Sequence, residues 1–349
     1  MLHHMMPRPE PRATLLAALT LMLAACGSGT PASSAATLSP SEGPSVMDAA
    51  ALTAYDPAAP LNVSEVAEPI ALDDGITVHD LAWDSPLGGR VSAWLVLPAG
   101  EGPFPGIVYL HGSETGRNDF VDEAIAMAHG GAASLVLDAP FSRTGDDQRA
   151  HLSDFGKPDM ERDMTAQAVV DARRAYDVFA ERGDIDMERL AFVGHSWGAS
   201  LGVVLAAVDP RPGSLVLLSG RPSWTGFLRS ETDGSIRALH NLYGDEKWNL
   251  YLDTMAPLDA MAEVANVDGD RLYFQYGETD DVVPPDVASE LTDAASGARL
   301  DLYDSGHALD DTATADRVAW LVDRLGMEPI PAAAVDGVGL PDQEHAPGT

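Results

Sequence analysis

Three residues have the types and the order that nucleophilic acyl chemistry requires. Ser196 stands in Gly194-His195-Ser196-Trp197-Gly198, between an apolar run at 189–193 and a longer one at 199–207. The first reads as a buried strand and the second as a packed helix, so the serine sits on a sharp strand-to-helix turn. Small residues must flank such a turn, which lifts the hydroxyl clear and aims the Trp197 N–H at the same point. A serine hydroxyl is a weak nucleophile until a histidine takes its proton, and the histidine needs an acid to orient it. Asp280 follows the strand-like run 271–276 on a loop, with Asp281 beside it as a rival, and His307 follows the strand-like run 298–303 on another. The order is serine, acid, histidine.

An oxyanion formed at this serine needs a second N–H donor besides Trp197. The apolar run 105–110 leads into His111-Gly112-Ser113-Glu114, where Gly112 lets the backbone bend. The Ser113 N–H is the candidate, with Glu114 as alternate. Two such donors matter, because removing one typically costs about 100- to 1000-fold in rate. His111, His129, His151, His195 and His240 read as packing or surface residues, and no pair of them has metal-ligand spacing. Neither a metal nor a cofactor is expected. Asp138, Arg143 and Arg117 stand where they could border a pocket and hold a substrate carboxylate, or form structural ion pairs.

The elements that must position these residues alternate along the chain. A hairpin is expected over 76–83 and 90–97, turned through Gly88-Gly89. Strands at 107–110, 133–138, 190–193, 214–218, 272–276 and 300–303 are then separated by helical stretches at 118–129, 161–181, 199–207, 285–295 and 312–325. Such alternation predicts an α/β fold, a mostly parallel sheet covered on both faces. One stretch, 221–270, breaks the rhythm and is rich in aromatics, including Trp224, Phe227, Tyr243, Trp248 and Tyr251. It would make an apolar wall over the site, or simply pack onto the body.

From about residue 75 to 326 the chain resembles an α/β-hydrolase, near the dienelactone hydrolase-like and prolyl oligopeptidase-like esterase branch. The pieces that carry the resemblance are His111-Gly112, the elbow at Ser196, Gly277-x-x-Asp280-x-x-Val283-Pro284 and Gly306-His307. It implies Ser196 as nucleophile, Asp280 as acid and His307 as base, with 221–270 as a lid insertion. The implied activity is that of a serine esterase acting on a small-molecule ester. A thioesterase or acyltransferase is the alternative, then a peptidase; outside enzymes, a binding module on the same fold. Dienelactone hydrolases proper carry cysteine where this chain carries serine.

The ends read differently from the middle. Arg8 and Arg12 precede an apolar run at 15–25 that is too short for a stable membrane span and suits a signal peptide. The run closes Leu23-Ala24-Ala25-Cys26, which resembles the bacterial lipobox; that resemblance implies a lipidated Cys26 and a membrane-anchored protein of the cell envelope. Cys26 is the only cysteine, so no disulfide can form within the chain. The expected organisation is a leader over 1–25, a flexible tether over 26–60, a hydrolase domain over 61–327 and a peripheral tail over 328–349. With 54 acidic and 21 basic residues the formal charge is −33, which repels phosphate backbones and argues against nucleic-acid binding.

Overall fold

In the computed structural model, residues 47–340 are described apart from 73, 114, 150–154 and 232. Its centre is a 10-stranded sheet. Short strands β1 (Ser64–Glu65) and β2 (Ile70–Ala71) pair antiparallel with β3 (Thr77–Asp84), which pairs with β4 (Arg90–Leu97) in the expected hairpin. Beyond β4 come β5 (Phe104–Leu110), β6 (Ala133–Leu137), β7 (Ile185–His195), β8 (Ser214–Leu218), β9 (Leu272–Gly277) and β10 (Arg299–Tyr303). The spatial order is β1-β3-β4-β6-β5-β7-β8-β9-β10, and β5 through β10 run parallel. Every residue of β6, β8 and β9 is buried, as expected for strands covered on both faces.

Helices fill the crossovers. A single-turn helix α1 (Ala49–Leu52) precedes the sheet, and α2 (Val121–His129) follows β5. The long α3 (Pro158–Arg182) opens with Pro158 and acidic residues in its first turn, and stops at Gly183 in the left-handed region with φ 77°. Next, α4 (Trp197–Val208) is apolar nearly all round, since it packs between sheet and neighbouring helices. After the β8–β9 crossover come α8 (Ala288–Ala294), α9 (Asp311–Leu325) and α10 (Ala332–Val335). The Asp310 carboxylate caps α9 by accepting from the Ala313 N–H, and Gly326 ends it in the left-handed region.

Two expected boundaries need correction. Residues 47–60 are not tether: Ala49 and Thr53 are buried, and the Arg173 and Arg174 side chains donate to the carbonyls of Thr53, Pro57 and Ala59. The folded body therefore includes residues 47–60, because α3 carries donors that this segment satisfies. The tail is also partly docked, with Ile330 against Gly130 and Leu340 buried. The leader, Cys26, residues 26–46 and 341–349 lie outside the described residues. No helix among the described residues is long and apolar enough to cross a membrane.

The crossover from β8 to β9 holds α5 (Trp224–Ser230), α6 (Gly234–Met255) and α7 (Ala260–Glu263). Leu258, Ala260, Val264 and Val267 at its end join the main core, whereas the apolar side chains of α5 and α6 do not. Leu228, Ile236, Trp248, Tyr251, Leu252 and Met255 gather with Phe155 into a cluster of their own. Within it, Phe155 stacks on Trp248 with ring centroids 4.7 Å apart and tilts against Tyr251 at 4.2 Å.

Candidate active site

The sheet delivers three side chains to one edge. At the end of β7 the chain turns through Ser196 with φ 53° and ψ −115°, a conformation that costs free energy and persists only where packing enforces it. The flanking glycines show what enforces it. A Cβ on Gly198 would run into the carbonyls of Leu110 and His111, and one on Gly194 would meet the Gly198 backbone. The elbow is thus clamped between β5 and the first turn of α4, and only glycine fits on either side of the serine.

A second close approach brings the acid to the base. A Cβ on Gly277, at the end of β9, would collide with the carbonyls of Ser305 and Gly306 on the loop after β10. Bare backbone there lets the two loops touch, and the Thr279 N–H donates to the Ser305 carbonyl at 3.0 Å. As a result His307 Nδ1 lies 2.8 Å from Asp280 Oδ2, and His307 Nε2 lies 2.9 Å from Ser196 Oγ. The other Asp280 oxygen, Oδ1, accepts from the Val282 and Val283 N–H groups, both at 2.8 Å. Asp281 is exposed, whereas Asp280 and His307 are buried. Burial pushes the Asp280 carboxyl up, but the His307 ring and the two backbone donors outweigh it, so the pKa lies below the ordinary carboxylate value. The acid stays ionised, as an orienting carboxylate must.

The loop after β5 reaches the same point. Cβ of an alanine at Gly112 would sit 3.3 Å from Ser196 Cβ, which places the Gly112-Ser113 peptide beside the serine. His111 fixes that peptide. Its Nε2 accepts from the Ala139 N–H at 3.0 Å, leaving Nδ1 as the protonated nitrogen that donates to the Gly112 carbonyl at 2.6 Å. A trans peptide is planar, so holding the carbonyl sets the direction of the Ser113 N–H. The alternate, Glu114, lies outside the described residues. Reading the sequence as packing missed this function for His111; its place one residue before the bend was the available signal.

His195, expected to pack or lie at the surface, is buried. Its Nε2 donates to the His307 carbonyl at 3.0 Å, and the two rings lie 4.9 Å apart. Burial, then the neighbouring His307 and Arg317, holds the ring neutral, with its pKa lowered to about 3. The polar residues expected near the pocket are structural. Arg143 pairs with Asp171 in the interior, and Arg117 pairs with Asp80 at 2.7 Å and Asp138 at 3.3 Å.

Above Ser196 opens a cavity of about 240 Å³ whose walls include Ser113, Trp197, Arg221, Trp224, Met255 and Val283. Arg221 escaped the sequence reading, because one arginine after a strand carries no periodic or motif signal. Among the described residues no cluster of His, Cys, Asp or Glu has the geometry to hold a metal ion. A hydroxyl joined to an imidazole and a carboxylate, facing a small cavity, can attack a carbonyl carbon.

Fold and site together define the class: a serine-type ester hydrolase on the α/β-hydrolase fold. The acetyl xylan esterase family (AXE1) matches residues 58–229. Among solved structures, an acetyl xylan esterase from Paenibacillus sp. R4 superposes with a TM-score of 0.63 at 21% identity, covering 79% of this chain and 92% of that one. Acetyl xylan esterase 1 from Thermoanaerobacterium sp. JW/SL YS485 gives 0.63 at 15% identity, over 76% and 88%. At such identities the likeness is one of fold. An uncharacterized protein of Mycobacterium tuberculosis is 27% identical over 218 residues, 62% of this chain and 67% of that protein.

Proposed function

We propose that this protein removes a short acyl group, acetyl in the first instance, from a hydroxylated carbohydrate through an acyl-enzyme on Ser196. One observation carries the chemistry: the hydrogen-bonded line from Ser196 through His307 to Asp280 beneath the cavity. His307 Nε2 takes the Ser196 proton as Oγ bonds to the ester carbon. The Trp197 and Ser113 N–H groups hold the oxyanion, and the ionised Asp280 stabilises the imidazolium. The proton then passes to the departing alcohol oxygen. Water, deprotonated by the same imidazole, releases the acid and restores the serine. Similarity to the acetyl xylan esterase family over 58–229 is what supports the proposed acetyl preference and carbohydrate alcohol.

A fluorophosphonate probe should label the wild-type protein at Ser196 and leave Ser196→Ala unlabelled. The purified protein should release acetate from acetylated xylooligosaccharides faster than it cleaves esters of longer acids. Equal labelling of the variant would refute the nucleophile. Faster cleavage of octanoyl than acetyl esters would refute the acyl preference alone.

We also propose that the protein is exported and held at a membrane by a lipidated Cys26, on the strength of Leu23-Ala24-Ala25-Cys26 after a short apolar run. Stable anchoring takes more than one acyl chain, which lipoprotein modification would supply. Expressed in a bacterial host, the wild type should partition into detergent and Cys26→Ser into water. Partition of both into water would overturn the anchor.

A further inference from the structure

Arginines in this acidic protein are, as a rule, matched to carboxylates: Arg90 to Asp84, Arg143 to Asp171, Arg174 to Asp177, Arg211 to Asp209 and Arg317 to Glu123. The arginine lining the cavity is different. Arg221 is only partly exposed, and among the described residues its guanidinium makes no ion pair. One nitrogen, Nη2, donates to the Val282 carbonyl, and the Phe227 ring lies beneath the plane at 3.8 Å. The backbone is anchored as well, since the Arg221 carbonyl accepts from Ser200 Oγ at 2.9 Å. A guanidinium has five N–H donors in a fixed planar fork, so most of them are left for whatever fills the cavity. Withdrawing a cation partly from water without an opposing charge is unfavourable. The carboxylate that acts on it is Asp280, already committed to His307 and two backbone N–H groups.

The cavity's own acids do not answer this charge. Asp259 Oδ2 accepts from Ser223 Oγ, Thr225 N and Thr225 Oγ1, and its Oδ1 accepts from Met261 N. Glu161, the other acid lining the cavity, is buried and forms no ion pair with Arg221 among the described residues. A fixed, unmatched guanidinium in the same small cavity as the serine is a receptor for a planar anion.

Resting on the ester-hydrolase reading above, we propose that Arg221 forms a carboxylate subsite. The preferred ester then carries a carboxylate on the group that enters the cavity. For a carbohydrate this means an acidic sugar; for a smaller substrate, a hydroxy acid or the half-ester of a diacid. A charge-assisted, forked pair of hydrogen bonds is worth about tenfold to a hundredfold in binding. The long-range repulsion from the acidic surface does not cancel this, because charges beyond about 8 Å are largely screened at physiological salt.

Two matched pairs of esters test the subsite. 4-Acetoxybenzoate against 4-acetoxybenzamide puts the carboxylate on the alcohol side, and monomethyl adipate against methyl adipamate puts it on the acyl side. The wild type should favour the anionic member of at least one pair in kcat/KM. Arg221→Gln should lower that anion-to-neutral ratio at least tenfold, chiefly through KM, and Arg221→Lys should restore part of it. A ratio is insensitive to the fraction of folded enzyme. If both members fall together in Arg221→Gln, Arg221 merely clamps Phe227 to the acid loop and the subsite is refuted. No anionic preference in the wild type refutes it too. Undiminished hydrolysis of either pair by Ser196→Ala would overturn the acyl-enzyme on Ser196 on which that reading rests, an outcome separable from the other two.

Discussion

The floor of the site and the insertion above it are built on opposite principles. In the floor, each reactive side chain follows directly on a buried strand or on a loop pinned to one. Ser196 leaves β7, Asp280 leaves β9 and His307 leaves β10, and all six residues of β9 are buried. The insertion has a long helix, α6, of 22 residues with only Ile236, Trp248, Tyr251, Leu252 and Met255 buried. Leu239, Leu242 and Leu250 of that helix are exposed. Its backbone breaks at Gly244, with φ 75° and ψ 161°. The floor shares the main core, whereas α5 and α6 of the insertion have a satellite cluster of their own. Close packing fixes geometry to fractions of an ångström, and a satellite cluster can shift without disturbing the sheet. The proposed chemistry belongs to the first region and the proposed carboxylate subsite to the second.

The largest effect should come from breaking the floor at one atom. Asp280→Asn exchanges the carboxylate that accepts from His307 Nδ1 for an amide, which favours the wrong imidazole tautomer. Turnover should drop by about 10⁴-fold with the fold intact, as in other serine–histidine–aspartate sites. Asp281→Asn, on the exposed neighbour, should stay within a few-fold. Steady-state kinetics with circular dichroism decides this; a comparable loss at both positions would mean that the loop, rather than the acid, had been damaged.

The second effect is one of stability and belongs to His195. In the unfolded chain a histidine titrates near 6.5, but in the fold this ring is held to about 3. Between those values the unfolded state binds a proton that the folded state refuses. The contribution is therefore fully present above pH 6.5 and is lost as the pH falls toward 3, at up to about 1.4 kcal/mol per pH unit. His195→Phe gives up the bond to the His307 carbonyl and should be less stable at pH 7. The gap to wild type should then narrow as the pH is lowered to 4, read by urea unfolding. A gap independent of pH would show that the floor admits the proton.

Legibility in the sequence followed the same division. The mostly parallel sheet and the elbow could be read because they rest on local facts: apolar runs of strand length, and glycines on both sides of Ser196. The loops bearing Asp280 and His307 could be located because each follows such a run. What could not be read was who faces whom. Asp280 and Asp281 are adjacent, and only the three-dimensional turn, with Asp280 Oδ1 held by Val282 and Val283, turns one inward and leaves the other exposed. His111 and His195 act through backbone carbonyls, contacts that no side-chain pattern announces. Residues 47–60 lack periodicity, so nothing local distinguishes them from tether. Their place is set by Arg173 and Arg174, more than a hundred residues later in the chain.

The smallest effect tests whether the insertion is as independent as its cluster suggests. Gly244 has no atom within 4 Å of where a Cβ would stand, so alanine there meets no clash. It does meet backbone strain, since a φ of 75° is one that L side chains rarely adopt. Such a residue costs about 1–3 kcal/mol. If that strain falls on the satellite cluster alone, Gly244→Ala should leave the global unfolding midpoint nearly unchanged. Local opening should become more frequent, about fivefold for each kcal/mol of strain, and proteolysis within 234–255 should quicken accordingly. Hydrolysis of a short ester should shift by no more than about threefold, mostly in KM, because Ser196, His307 and Asp280 do not touch the break. A midpoint that fell by the whole strain, with proteolysis unaltered, would show the insertion and sheet unfolding as one unit. Substrate choice could then no longer vary separately from the floor.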